Sequence, residues 1–127
     1  MLAPGKEAAV KSLVAAYENE SIAIAQYKVF AAKADAEGLP GAASLFRAAA
    51  RAEQVHANNH ARVIRQMGGE AVANIPQVQP RTTAENLKTA LGSEQYEIDT
   101  LYPAFLRQST SLFDAAAVRG SAREGRG

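Results

Sequence analysis

The sequence predicts an all-α fold, a bundle of three long helices followed by a short, incomplete fourth. Hydrophobic residues make up 47% of the 127 residues, but many of them are alanine, and only 6% of the chain is aromatic. This composition favours helices over sheet. Apolar residues also recur at spacings of three and four along three long segments, as on the buried face of a helix. Glycine and proline separate these segments, as expected at helix ends.

The length fits a single domain, 1–127, that can bury a core without covalent staples. The 14 basic and 13 acidic side chains give a net charge of +1, which provides no reason to expect a nucleic-acid partner. The absence of cysteine excludes a disulfide framework, a zinc ribbon, a cysteine-ligated iron–sulfur cluster and a thiol nucleophile. No apolar run approaches the ~20 residues of a membrane span. The N-terminus lacks the apolar core of a signal peptide, so we expect no membrane association and a cytoplasmic location.

The first predicted helix, 6–37, ends at Gly38, which Pro40 follows closely. A glycine and then a proline form a common helix-ending signal. The second predicted helix, 41–67, ends at Gly68 and the glycine that follows it. The short connection between the two helices predicts an antiparallel pair.

The segment 70–81 contains two prolines and no steady period, which predicts a crossover loop. The third predicted helix, 82–108, starts with a capping box in which Thr82 caps the helix and Glu85 reaches back. Pro103 predicts a kink near its end. A crossover of this length lets the second and third helices run parallel. The segment 111–123 is predicted as a short fourth helix or tail.

Each predicted helix carries acidic residues in the middle of its apolar stripe. The stripes are Leu13, Tyr17, Glu20, Ile24, Tyr27 and Ala31 on the first helix; Phe46, Ala49, Glu53, His56, His60, Val63 and Met67 on the second; and Leu87, Leu91, Glu94, Ile98, Leu101 and Phe105 on the third, with Glu97 beside Ile98. A carboxylate moved from water into a core loses several kcal/mol unless it is paired. Because lysine and arginine mostly lie off these stripes, we expect a multivalent cation to neutralise the acids. Carboxylate and imidazole ligands suit iron, manganese or zinc.

The spacing within the stripes supports this interpretation. Glu53 and His56, at positions i and i+3, share one helix face roughly 5–6 Å apart at Cβ, and Glu94 and Glu97 do the same. A single Glu-x-x-His motif commonly lies on a solvent-exposed helix face. A single acidic residue in a predicted stripe can mean that the stripe was assigned one residue out of phase. His60 fits a supporting or core histidine better than a ligand. Three stripes with central acids together favour a metal site, or one inherited from a metal-binding ancestor. Clustered carboxylates also predict a raised pKa for at least one of them without metal.

Three segments resemble motifs of one family in order and spacing. They are residues 20–27 (ESIAIAQY) with Phe30-Ala31, residues 52–57 (AEQVHA), and residues 86–90 (NLKTA) with 94–97 (EQYE) and 101–103 (LYP). Across roughly residues 10 to 108, the chain resembles the rubrerythrins, a branch of the ferritin-like superfamily. That resemblance implies a four-helix bundle around two irons that reduces hydrogen peroxide with electrons from rubredoxin. Manganese and zinc are possible substitutes for the iron.

The resemblance also implies site residues. The implied metal ligands are Glu20, Glu53, His56, Glu94 and Glu97. Glu97 would exchange with the histidine half of the site as the redox state changes, which makes it a candidate catalytic residue together with Tyr27 and Tyr102. The two tyrosines equally fit core aromatics with hydrogen-bonded hydroxyl groups.

The chain departs from the family pattern in two ways. The family's rubredoxin domain needs four cysteines and this sequence has none, which implies an external electron donor such as rubredoxin. The family's fourth helix carries a second Glu-x-x-His. Here residues 115–119 resemble the start of that helix, but no histidine follows Glu124. Either a partner chain completes the site, or the site holds one metal, or the chain is a truncated product that binds metal poorly.

Three functions therefore stay open: a di-iron peroxidase, a ferritin-like metal-binding protein without peroxidase turnover, and a bundle whose ancestral site is broken. The incomplete fourth helix also predicts an apolar groove that a partner covers. We expect at least a homodimer, with the partner over Leu87, Leu91, Leu101 and Phe105. Swapping of the third helix and tail across the crossover loop is the other route to an oligomer.

Overall fold

The computed structural model describes residues 4–96, and within them the chain is all-helical. The helices are α1 (Pro4–Ala36), α2 (Pro40–Gln66) and α3 (Thr83–Tyr96), without strands in this part of the chain. The prediction of an all-α fold is therefore confirmed. The predicted continuation of the third helix to 108 and the predicted fourth helix at 111–123 lie outside the described residues. No helix within 4–96 is long and apolar enough to cross a membrane.

A tight turn joins α1 to α2. Gly38 adopts φ +75°, a left-handed conformation that favours glycine, and the amide of Leu39 donates a hydrogen bond to the carbonyl of Ala34 at 2.8 Å. Pro40 occupies the first turn of α2, where its missing amide hydrogen costs nothing. The turn makes α1 and α2 an antiparallel hairpin.

The core of this hairpin consists of two apolar clusters, one toward each end. The cluster near the α1–α2 turn, which we call the turn cluster, contains Tyr27, Phe30, Ala31, Ala34, Ala43, Phe46 and Ala50. The Phe46 ring lies 5.4 Å from that of Phe30 and 6.2 Å from that of Tyr27 between centroids, within the range of favourable aromatic pairs. At the other end, Val10, Leu13 and Ile64 form the second cluster. Because each cluster joins opposite ends of α1 and α2, the two helices are antiparallel.

The segment between α2 and α3 returns along the length of α1. It leaves α2 at Gly68, with φ +85°, and the amide of Asn74 then donates to the Glu18 carboxylate at 3.1 Å. Val78 packs against the turn cluster, and the amide of Thr83 donates to the Glu37 carboxylate at 3.1 Å. The segment therefore carries the chain back to the end of α1, where α3 begins.

The start of α3 has the predicted capping box. The Thr82 hydroxyl accepts a hydrogen bond from the Glu85 amide at 3.2 Å and donates to the Glu85 carboxylate at 2.8 Å. From here α3 runs past Tyr27, so it is antiparallel to α1 and parallel to α2. Its buried side meets the turn cluster through Leu87 and Ala90.

Two of the predicted stripes are partly wrong in phase. On α2 the buried residues are Ala43, Phe46, Ala50, Glu53, Ala57, Ala61 and Ile64. The inward face is thus centred on Ala50 and Ala57, with Ala49 at its edge, packed against the turn cluster, and His56 exposed. These residues of α2 are buried because they lie on the side of α2 that packs against α1. On α3, Leu91 was predicted to face inward but is 70% exposed. It projects away from the side of α3 that meets the turn cluster.

Candidate metal centre

Two acidic side chains are buried between the two apolar clusters. Glu20 on α1 is 7% exposed and Glu53 on α2 is 6% exposed. Both lie in the buried stripe of their helix because residues spaced three or four apart share a face, and their neighbours in the stripe pack the hairpin. A buried carboxylate needs a compensating partner, so their contacts decide what this position can do.

Glu20 meets a histidine from α2. Its Oε1 lies 2.7 Å from Nδ1 of His60, although the two are not aligned as a good hydrogen bond. This close contact with the Glu20 carboxylate raises the pKa of His60 above its ordinary value, while burial of the ring opposes the shift. The second oxygen, Oε2, is buried without a hydrogen-bond partner among the described residues.

Glu53 lies in an environment that disfavours its charge. Burial, followed by the negative charges of Glu94 and Glu20, raises the pKa of the Glu53 carboxyl, and the nearby His56 lowers it in part. The predicted raised pKa for one of the clustered carboxyls is thus confirmed for Glu53. Three helices place acid close enough for the charges to interact.

Glu94 is the acidic residue that α3 contributes to the candidate site. The Tyr27 hydroxyl donates a hydrogen bond to Oε1 of Glu94 at 2.7 Å. This bond joins α1 to α3 at the level where α1 and α2 carry their buried acids. Tyr27 thereby holds the Glu94 side chain toward the hairpin.

His56 does not face the interior as predicted. Its side chain is 54% exposed, with Nδ1 lying 3.6 Å from Oε2 of Glu53. Three residues along a helix rotate the side chain by about 60° away from that of Glu53, and this side of α2 is not the one that α1 covers. His56 is thus next to Glu53 but at the edge of the buried stripe.

The predicted site residues are only partly brought together. Within residues 4–96, no three or more His, Asp or Glu side chains are arranged to hold one metal ion. The acids instead form pairs, Glu20 with His60, Glu53 with His56 and Glu94 with Tyr27. Glu97 and Tyr102 lie outside the described residues. The contact of His60 with Glu20 was not predicted. His60 follows Glu53 by seven residues, however, and this spacing places His60 and Glu53 on one face of α2.

The chemistry of the described residues fits a bound cation. Carboxylate oxygens and imidazole nitrogens are common ligands of iron and manganese, and the unpartnered Oε2 of Glu20 is a buried acceptor without a donor. The pKa of Glu53 is raised first by burial and then by the negative charges of Glu94 and Glu20, and a bound cation would offset those charges. A metal would have to draw these side chains out of their present pairs.

An all-α hairpin with buried central acids, joined by a long crossover to a third acidic helix, is typical of the ferritin-like bundles. Consistently, the family model described as rubrerythrin matches residues 11–119. The chain belongs to the rubrerythrin family, whose members are ferritin-like di-iron proteins.

Two relatives give the scale of the similarity. The chain is 30% identical over 95 residues to Rubrerythrin-2 of Clostridium acetobutylicum, covering 74% of this chain and 52% of the relative. It is 36% identical over 95 residues to Rubrerythrin of Porphyromonas gingivalis, covering 75% of this chain and 48% of the relative. The chain thus spans about half the length of the relatives it matches. No solved structure matches it significantly.

Proposed function

We propose that the chain contributes a rubrerythrin-type non-haem di-iron centre that reduces hydrogen peroxide, with electrons from a separate donor such as rubredoxin. The observation that supports this most is the convergence of acid from three helices on one level of the bundle, where Glu53 has a raised pKa. Family membership and the orphaned oxygen of Glu20 agree with it.

The proposed ligands are Glu20, Glu53, His56, Glu94 and Glu97. Two bound ferrous ions would supply the two electrons that, with two protons, convert one hydrogen peroxide to two waters. Glu from separate helices and a Glu-x-x-His pair are the ligand types of di-iron bundles.

The described residues have separate tasks around such a centre. Burial favours a proton on Glu53, so metal binding there releases a proton and affinity rises with pH. Tyr27 keeps a hydroxyl proton directed at Glu94 and so fixes the direction of that carboxylate. His60 contacts Oε1 of Glu20, which leaves Oε2 available to accept a cation. Tyr102 stays a candidate on sequence grounds.

The second candidate function is metal binding without peroxidase turnover. It is favoured by the finding that the described residues alone do not assemble three ligands. Glu97 and any ligands from further residues or a partner chain would decide between two metals and one. We therefore treat peroxide reactivity as the property that separates the two functions.

We also propose that the protein forms a homodimer or a domain-swapped oligomer. Leu91 on α3 is 70% exposed, and Leu45 on α2 is 60% exposed. Large exposed apolar side chains on two helices of one bundle support a covered surface. The partner's helix would lie over α3, where Leu91 is exposed.

Stopped-flow kinetics of the anaerobically reconstituted ferrous protein test the peroxidase function. We expect peroxide to oxidise the protein faster than dioxygen does. Glu97→Ala should retain most of its iron but be re-reduced slowly, whereas Glu53→Ala should lose iron. Oxidation by peroxide no faster than that of free ferrous ion would leave only the metal-binding function.

A further inference from the structure

A groove runs between α1 and α2. It has a volume of about 390 Å³, and its lining residues are Ile24, Lys28, Arg47, Ala50, Arg51 and Gln54. Ile24 is buried and Ala50 belongs to the turn cluster, so the floor of the groove is apolar. Lys28 follows Tyr27 and therefore projects about 100° away from the tyrosine that meets α3. The lining residues of the groove thus come from α1 and α2, and none comes from α3.

The rim of the groove carries positive charge that the described residues do not neutralise. Arg47 is paired with Asp35, but within residues 4–96 neither Lys28 nor Arg51 has an acidic partner. Arg47 and Arg51 are separated by one helical turn, a spacing at which like charges destabilise a helix slightly. This repulsion between the two arginines would be relieved if anionic groups of another molecule bound beside them.

The groove lies level with the candidate metal centre. Ile24 follows Glu20 by one helical turn on α1, and Ala50 precedes Glu53 by about one turn on α2. The floor residues and the buried acids are therefore within roughly 6 Å of one another along each helix axis. Residues spaced three or four apart share a helix face, so the apolar floor belongs to the same buried stripes as Glu20 and Glu53. An electron entering from the groove would therefore have only a short distance to cross to the acids.

We propose that this groove docks the acidic face of a separate electron-donor protein. The proposal rests on the proposed function, because it assumes a centre that is reduced by another protein. A charged rim around a small apolar floor is the pattern of a transient protein interface. Charge complementarity of this kind mainly accelerates association, which suits a partner that must leave after each transfer. An open groove with little buried apolar area suits a protein surface better than an enclosed small molecule.

Binding of an acidic probe protein tests the docking surface directly and without iron. The full-length, isotope-labelled chain is titrated with oxidised rubredoxin of strongly negative net charge, followed by NMR at low and high salt. We expect shift changes at Lys28, Arg47 and Arg51, with affinity that falls steeply as salt rises. The double variant Lys28→Glu/Arg51→Glu should bind roughly tenfold more weakly or worse.

Lys11→Glu/Arg62→Glu is the matched control. It makes the same change of net charge, also with one residue on each helix, but at the opposite end of the hairpin. The control should bind rubredoxin nearly as the unaltered chain does. The neutral pair Lys28→Gln/Arg51→Gln, checked for unchanged helicity, should be intermediate. Equal weakening in the groove variant and the control, or shift changes that avoid the groove, would overturn the proposal.

Failure of the docking surface and failure of the peroxidase function give different results. Re-reduction of the iron-loaded protein is compared between rubredoxin and dithionite, a small reductant that needs no docking surface. If the docking proposal is right, the groove variant slows only the reaction with rubredoxin. A protein without peroxide reactivity that still binds rubredoxin in the groove would contradict the proposed function but retain the docking site.

Discussion

Buried acid is the costliest feature of the described residues. Glu20 and Glu53 are both under a tenth exposed, and neither has lysine or arginine as a neutralising partner among the described residues. The metal-free protein compensates through the His60 contact of Glu20 and through a raised pKa at Glu53. Side chains kept at a cost to stability are expected at functional sites. We therefore propose that these two residues serve the function rather than the core.

Glu53→Gln should stabilise the metal-free protein. The folded pKa of Glu53 is raised above its ordinary value of 4.5, so the folded state binds the proton more tightly than the unfolded state does. The stability from this carboxyl is therefore full below pH 4.5 and is lost as the pH rises through the folded pKa. Glutamine has no charge to bury, so the variant should gain roughly 0.5–2 kcal/mol at pH 7 and little at pH 4. Urea unfolding at both pH values measures this.

Glu70→Gln is the control for that measurement, because Glu70 is exposed in the crossover segment. It should change the free energy of unfolding by no more than about 0.5 kcal/mol. His60 adds its own dependence in both proteins: its raised pKa means that its contribution is lost as the pH rises from 6.5 through the folded value. A Glu53→Gln protein less stable than the unaltered chain at pH 7 would show that the carboxylate is well compensated.

Helix ends were predictable from the sequence because their signals are local. Gly38 and the Thr82–Glu85 capping box are read from a few adjacent residues, and both act as expected in the structure. The phase of α2 was not predictable in the same way. Which edge of its stripe is buried depends on where α1 packs, and periodicity alone does not contain that information. The exposed position of His56 follows from this difference.

Gly38→Ala should destabilise the hairpin through its backbone alone. A methyl group at Gly38 meets no atom within 4 Å, but the residue has φ +75°, where an L-residue is strained by roughly 1–2 kcal/mol. Gly41→Ala is the matched control. Gly41 also has open space but lies within α2, where alanine should stabilise by about 0.5–1 kcal/mol. Thermal unfolding of the two variants should shift in opposite directions, and equal shifts would contradict this account of the turn.

The path of the crossover segment determines how the acidic residues of the three helices come together. It returns the chain along α1, so α3 runs parallel to α2 and brings Glu94 to Tyr27. The composition, the crossover and the acidic stripes were enough to predict this layout. The pairing of Glu20 with His60 was not predicted, because it depends on the register between α1 and α2. Register comes from packing along the whole hairpin rather than from any motif.

Leu91→Glu should reduce self-association. Leu91 is 70% exposed on α3, and we expect a partner chain to cover it. Light scattering well above micromolar concentration should give at least a dimer for the unaltered protein and a shift toward monomer for the variant. Val72→Glu, at another exposed apolar residue but in the crossover segment, should leave the oligomer unchanged. A strictly monomeric unaltered protein would contradict the proposed oligomer.

Anaerobic titration with ferrous iron, followed by metal analysis, tests the central claim most directly. We expect binding of about two irons per chain in the assembled protein, as in the di-iron bundles, with a higher melting temperature because the metal binds the folded state. Glu53→Gln is the most informative comparison, since it should be more stable without metal yet lose most of the iron and the associated stabilisation. Iron binding by the unaltered chain that is no greater than binding by Glu53→Gln, with an unchanged melting temperature, would contradict a metal centre at these residues.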